Sequence, residues 1–170
     1  IALVVSSKAD AYALTRARDA GIETAVLPKV ESPEAYGMQL IELLRLYQID
    51  MVVLAGFMLI LHPNVVRAYA GRILNVHPSL IPSFCGAGYY GLKVHRAALD
   101  YGVKVTGATV HIVNEIPDGG KILAQKAVKI KKGDTPETLQ KRVMEKAEWK
   151  LLPQETEKLA KKIAKKEKKH

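Results

Sequence analysis

Met51-Val52-Val53-Leu54-Ala55-Gly56 decides how the rest of the chain is read. A strand with one wet face alternates apolar and polar residues, and this run does not alternate. An unbroken apolar strand is expected inside a parallel sheet covered on both faces. Upstream, Ser32-Pro33 opens a helix, with Ser as N-cap and Pro in the first turn, and Leu40, Leu43, Leu44 and Tyr47 recur at helical spacing. Before that come a strand at Glu23–Leu27, a helix near Ala11–Ala20 closed by Gly21, and a strand at Ile1–Ser7. Downstream, a short helix from His62-Pro63 leads to the strand Ile73–His77, and a long loop covers Pro78–Tyr90. Val94–Tyr101 suits a helix, while Val105–Val113 and Ile122–Val128 suit strands separated by a turn at Pro117–Gly120. Asp134-Thr135-Pro136-Glu137 starts a helix expected to reach Leu152 before Pro153 interrupts it. This β-α-β-α order predicts one doubly wound α/β domain, a mostly parallel sheet with helices on both faces.

Composition narrows the function classes. The 170 residues are 48% hydrophobic and 25% charged, ordinary globular values. No apolar run approaches the roughly 18–20 residues of a membrane span, so no membrane partner is expected. Ile1–Ser7 lacks the basic start and the length of a secretion signal. The single cysteine, Cys85, excludes an internal disulfide and points to a reducing, cytoplasmic location. It has no basic neighbour in sequence to activate it as a nucleophile.

The formal charge is +9, from 26 Lys and Arg against 17 Asp and Glu. Residues 154–170 hold seven Lys and three Glu, a local +4 without an aromatic side chain. That reads as a solvated helix end or tail, set apart from residues 1–153, and not as a nucleic-acid arm.

Chemistry in an open α/β sheet gathers at the carboxyl ends of strands. Asn75 and His77, in Asn75-Val76-His77-Pro78, are two apart on a strand and so share a face. An amide donor beside a titratable imidazole suits addition to a carbonyl, although both could equally cap the loop that follows. Asp118 sits in Glu115-Ile116-Pro117-Asp118-Gly119-Gly120, where Asp-Gly-Gly is also a plain turn signal. Close to a histidine, its carboxylate would raise the imidazole pKa and hold a proton. His111 reads as a structural histidine that supports the site, and His62, His95 and His170 as cap, helix-face and tail residues. No two of the five have a zinc-helix spacing, so no metal is expected. Nor is a glycine-rich phosphate loop followed by a helix visible.

Taken in order, these blocks resemble the folate-dependent formyltransferase family. The resemblance runs from residue 1 to about 153. It includes Ser7-Lys8-Ala9-Asp10-Ala11, Val53-Leu54-Ala55-Gly56-Phe57-Met58 and Gly107-Ala108-Thr109-Val110-His111. Its strongest block is Asn75-Val76-His77-Pro78-Ser79-Leu80-Ile81-Pro82-Ser83-Phe84, and Gly133-Asp134-Thr135-Pro136-Glu137 follows later. The resemblance implies transfer of a formyl group from 10-formyltetrahydrofolate, a co-substrate, to the primary amine of glycinamide ribonucleotide in purine biosynthesis. It implies that Asn75 and protonated His77 steady the tetrahedral oxyanion while Asp118 raises the His77 pKa and orders the proton path. Phe57, Met58, Leu59, Ile60, Leu61, Asn114 and Glu115 would surround the folate, Leu59 standing where many relatives carry Arg. Gly56, Pro78 and Glu148 would meet the phosphoribosyl substrate, with both partners small molecules and the enzyme a monomer or homodimer.

Two other readings share the Asn-x-His-Pro-Ser block or its pocket: a formyltetrahydrofolate hydrolase, and a folate-binding module without catalysis. The family's first strand, its phosphate-holding loop and the helix after it are not in this sequence. The resemblance therefore implies a domain lacking that unit, with the place of a strand left between Ile1–Ser7 and Met51–Gly56, and impaired phosphate binding.

Overall fold

The computed structural model describes residues 1–167. Six strands and six α-helices alternate much as the sequence order implies. They are β1 (Leu3–Ser6), α1 (Tyr12–Asp19), β2 (Glu23–Val26), α2 (Pro33–Leu46), β3 (Val52–Leu54), α3 (Pro63–Ala68) and β4 (Ile73–His77). After these come α4 (Leu92–Tyr101), β5 (Val105–Ile112), β6 (Ile122–Lys129), α5 (Pro136–Val143) and α6 (Trp149–Glu167), with a π-helical turn at Met144–Glu148 joining the last two. The class is α/β, with parallel pairing among the first four strands; β5 and β6 run antiparallel. Hydrogen bonding groups the strands as β1-β2 and β3-β4-β5-β6, in two compact units.

The first unit holds β1, β2 and the helices α1 to α3. Ser32 caps α2 by accepting from the Ala35 N–H, and Pro33 occupies the first turn, where its missing N–H costs nothing. The buried stripe of α2 is Tyr36, Gly37, Leu40 and Leu44, so it begins one turn earlier than the leucines alone suggest. Gly37 is there for contact: a Cβ would collide with the Asn64 side chain of α3.

In the second unit the two-residue period of the strands sorts the side chains. Leu74 of β4 and Ala108 and Val110 of β5 join Val128, Leu139, Val143, Ala147 and Leu151 in one core, and Val76 packs against it. Asn75, His77, Thr109 and His111 point to the opposite face. The antiparallel register sets Asn75 opposite His111 and His77 opposite Thr109, so four polar residues meet on one side of two strands. β5 is buried on both faces, which explains why its sequence does not alternate cleanly.

The C-terminal segment departs from expectation. Thr135 caps α5 in a reciprocal pair with Thr138, as the Asp-Thr-Pro-Glu start implies. Pro153 does not interrupt the helix that follows. It lies inside α6 on an exposed face, five residues after the π turn ends at Glu148. There it removes one i→i−4 bond, whose carbonyl belongs to the solvent-exposed Trp149. Residues on both sides of 153 therefore share one helix, and His170 lies outside the described residues.

Candidate active site

β4 delivers Asn75 and His77 to one place, as their spacing requires, and the turn between β5 and β6 brings Asp118 to meet them. His77 is buried, at 4% exposure. Its Nδ1 lies 3.4 Å from Asp118 Oδ2, and His111 Nε2 lies 3.6 Å from Asp118 Oδ1. The two carboxylate oxygens are thus bracketed by two imidazoles. Asn75 Nδ2 is 3.1 Å from the same His111 Nε2, and His111 Nδ1 is 3.1 Å from the Ile112 carbonyl. A carbonyl only accepts, so His111 Nδ1 carries a proton, while Nε2 stands between the Asn75 amide and Asp118 Oδ1.

Asp118 is both turn residue and site residue. Its φ of 55° is left-handed, a conformation that short polar side chains tolerate better than most. The Gly119 N–H closes the turn on the Ile116 carbonyl, and Gly120 passes so close to the Ile112 carbonyl that no Cβ fits. The turn that holds Asp118 is thus also what brings its carboxylate to His77.

Two main-chain groups complete the cluster. The Phe84 carbonyl lies 2.8 Å from His77 Nε2, and the Gly86 N–H donates to Asp118 Oδ2 at 2.8 Å. The loop supplying them is fastened to the sheet by Thr109, whose Oγ1 donates to the Ser79 carbonyl and accepts from the Ile81 N–H and Gln125 Nε2. Sequence reading missed Phe84, Gly86 and Thr109. Thr109 carried a signal, being two residues before His111 on the same strand; main-chain donors and acceptors carry none.

Electrostatics follow from burial. Burial lowers the His77 pKa and outweighs the raising effects of the Phe84 carbonyl and the Asp118 charge. The carboxylate acts in the expected direction, but the net shift is downward, so the ligand-free imidazole favours its neutral form. Burial pushes the Asp118 carboxyl up, and interactions with His111, the Gly86 N–H and His77 more than reverse it.

The remaining candidates are placed less tightly. Gly56 and Phe57, Met58, Leu59 and Ile60 follow β3 in the second unit, with Met58 and Ile60 exposed, while the buried Leu61 belongs to the first unit. Pro78 leads from His77 into the fastened loop. Asn114 turns its Oδ1 to the Ile116 N–H, ahead of Asp118 and beside the exposed Glu115. Glu148 ends the π turn, which packs on β5 and β6, and burial pushes its carboxyl up to about 7. His62 accepts from the Asn64 N–H at the start of α3, a cap as expected. His95 does not lie on an open helix face. It is fully buried in α4, and neither ring nitrogen has a hydrogen-bond partner.

Comparison with known proteins gives this arrangement a family. The chain is 44% identical over 147 residues to the chloroplastic phosphoribosylglycinamide formyltransferase of Arabidopsis thaliana, covering 85% of this chain and 50% of that one. It is 46% identical over 142 residues to phosphoribosylglycinamide formyltransferase of Escherichia coli K12, covering 82% of this chain and 65% of that one. It therefore spans about half to two thirds of the length of these relatives. The crystal structure of glycinamide ribonucleotide transformylase 1 from Symbiobacterium toebii superposes with a TM-score of 0.85 at 40% identity, over 92% of this chain and 72% of that one. The formyl transferase family model matches residues 1–156, which include β1 to β6 and the whole His77–Asp118–His111 cluster, and the chain belongs to that family.

Proposed function

We propose that this chain supplies the catalytic residues for the formyl transfer of a phosphoribosylglycinamide formyltransferase, from 10-formyltetrahydrofolate to the primary amine of glycinamide ribonucleotide. The observation that carries this reading is the convergence of Asn75, His77 and Asp118, an amide, an imidazole and a carboxylate, on one face of β4 and β5. The amine nitrogen attacks the formyl carbon, and the carbonyl electron pair moves to oxygen. The Asn75 amide and the His77 imidazolium stabilise that oxyanion. Burial keeps free His77 largely neutral, so its second proton is taken up as negative charge develops beside it. The amine must lose one proton and the folate nitrogen must gain one as the carbon–nitrogen bond breaks. Asp118, between two imidazoles, is placed to hold that proton in transit.

The chain following β3 and the stretch Asn114–Glu115 supply the folate contacts in this reading, and Gly56, Pro78 and Glu148 those of the ribonucleotide. Both partners are small molecules. The described residues contain no helix long and apolar enough to cross a membrane, and the lone thiol Cys85 fits a reducing, cytoplasmic setting.

The deciding experiment follows formyl transfer from 10-formyltetrahydrofolate with glycinamide ribonucleotide as acceptor. Amine-dependent release of tetrahydrofolate that disappears in Asn75→Ala and His77→Ala is the expected result. Amine-independent release would instead indicate a hydrolase, and folate binding without turnover a binding module.

A further inference from the structure

His77 is held at both ring nitrogens, and the two partners differ in kind. Nδ1 faces a carboxylate that can give or take a proton, while Nε2 faces a main-chain carbonyl that can only accept. The carbonyl is that of Phe84, whose φ of 49° is left-handed without the licence of a glycine or a short polar side chain. Such backbone persists only where its surroundings hold it. Here the Phe84 ring packs edge-on against Tyr89 and Tyr101, at centroid distances of 6.4 and 6.0 Å. The Ser83 carbonyl, one residue before, accepts from Ser79 Oγ, and the Gly86 N–H, two residues after, is spent on Asp118 Oδ2. A three-residue elbow thus grips the far nitrogen of His77 and the near oxygen of Asp118 together.

We propose that Phe84 is a positioning residue for His77: its carbonyl keeps Nε2 protonated in every charge state, so the proton that His77 takes up and returns is carried on Nδ1, against Asp118. Four other titratable groups act at this place: Asp118, His111, His95 and the Cys85 thiol between Phe84 and Gly86. Of these, Asp118 forms the ion-pair contact with His77, 3.4 Å away at Nδ1. Neutral His77 therefore turns a lone pair, not an N–H, toward the carboxylate, and serves first as acceptor for a proton. Once charged, it donates from the same nitrogen. The destination of that proton rests on the formyl-transfer reading, whereas the tautomer does not.

The test is a long-range proton–nitrogen NMR spectrum of the full chain labelled with nitrogen-15 histidine, recorded above the titration of His77. His77 is assigned by the signals that vanish in His77→Gln. A pyridine-type Nδ1 and a pyrrole-type Nε2 are expected; a pyrrole-type Nδ1 would overturn the proposal whether or not the chain transfers formyl groups. Phe84→Gly keeps the carbonyl and tolerates the left-handed backbone but removes the anchored ring, and Phe84→Leu replaces it should the glycine variant not fold. The expected result is a mixture of His77 tautomers with kcat down about tenfold and the folate KM unchanged, with Phe84→Tyr restoring both signals and rate. An unaltered tautomer and an unaltered kcat in the ring-deleted variant would show that Phe84 only fills space.

Discussion

His77 and Asp118 face each other across 3.4 Å, Nδ1 to Oδ2, yet burial and not the carboxylate sets the direction in which His77 titrates. The carboxylate still opposes that shift, so the pair forms a site where a proton is easily received and easily surrendered. Both groups are poised by the same loop, through the Phe84 carbonyl and the Gly86 N–H.

Replacing Asp118 with Asn separates these contributions. The amide keeps the shape and loses the charge that raises His77, so the His77 pKa moves further down, measurable by NMR titration. Formyl transfer falls roughly a hundredfold or more, because the proton in transit loses its acceptor. Activity near that of the unaltered chain would remove Asp118 from the mechanism.

His95 governs a different pH dependence. Burial, with a smaller effect from His77, lowers its pKa to about 4, while the unfolded chain keeps the ordinary value of 6.5. The unfolded state therefore binds more protons between these values. The stability tied to neutral His95 is complete above pH 6.5 and is lost as pH falls toward 4, by up to about 3 kcal/mol. His95→Leu also removes two ring nitrogens that lack partners. Its melting temperature should equal or exceed that of the unaltered chain at pH 7, and the excess should grow as the solution is acidified. Parallel curves for the two proteins would refute this.

How much of this was legible from sequence depends on which atoms do the work. The pairing of Asn75 with His77 follows from the two-residue period of a strand, and the buried β3 follows from its unbroken apolar run. Asp118 was legible as a turn and, by family resemblance, as a candidate for catalysis. Spacing could not show these to be one device, because the tightness of the turn rests on a clearance between Gly120 and the Ile112 carbonyl. The Phe84 carbonyl and the Gly86 N–H belong to the backbone, which every residue has, so no residue type announces them. Pro153 was misread because proline is judged as a helix breaker, and here the lost bond falls beside exposed Trp149. The raised carboxyl of Glu148 depends on a π turn for which the sequence holds no marker.

Glu148 gives the opposite pH sign from His95. Its folded pKa, about 7, stands above the ordinary 4.5, so neutral Glu148 is the form the fold prefers. Its contribution is complete below pH 4.5 and is lost as pH rises through 7. Glu148→Gln should therefore be more stable than the unaltered chain at pH 8, by about 2–3 kcal/mol, and indistinguishable from it at pH 4.5. Denaturant unfolding at the two pH values measures the difference. If the carboxylate also meets the ribonucleotide, the same variant should raise the KM for that substrate and leave the folate KM alone.

Gly120→Ala tests the clearance that sets Asp118 in place. The added Cβ would strike the Ile112 carbonyl, a backbone atom that cannot rotate away and that also faces His111 Nδ1. The turn or the end of β5 has to move, disturbing Asp118 and His111 together, at about 1–3 kcal/mol in stability. Gly133→Ala is the matched control. Its φ of 83° strains any side chain, yet nothing lies within 4 Å of the new Cβ, so it should lose about 1–2 kcal/mol and keep its kcat. Equal stability loss with kcat depressed only in Gly120→Ala would tie the turn's close packing to catalysis. Equal kcat in both variants would reduce Gly119-Gly120 to a connection between strands.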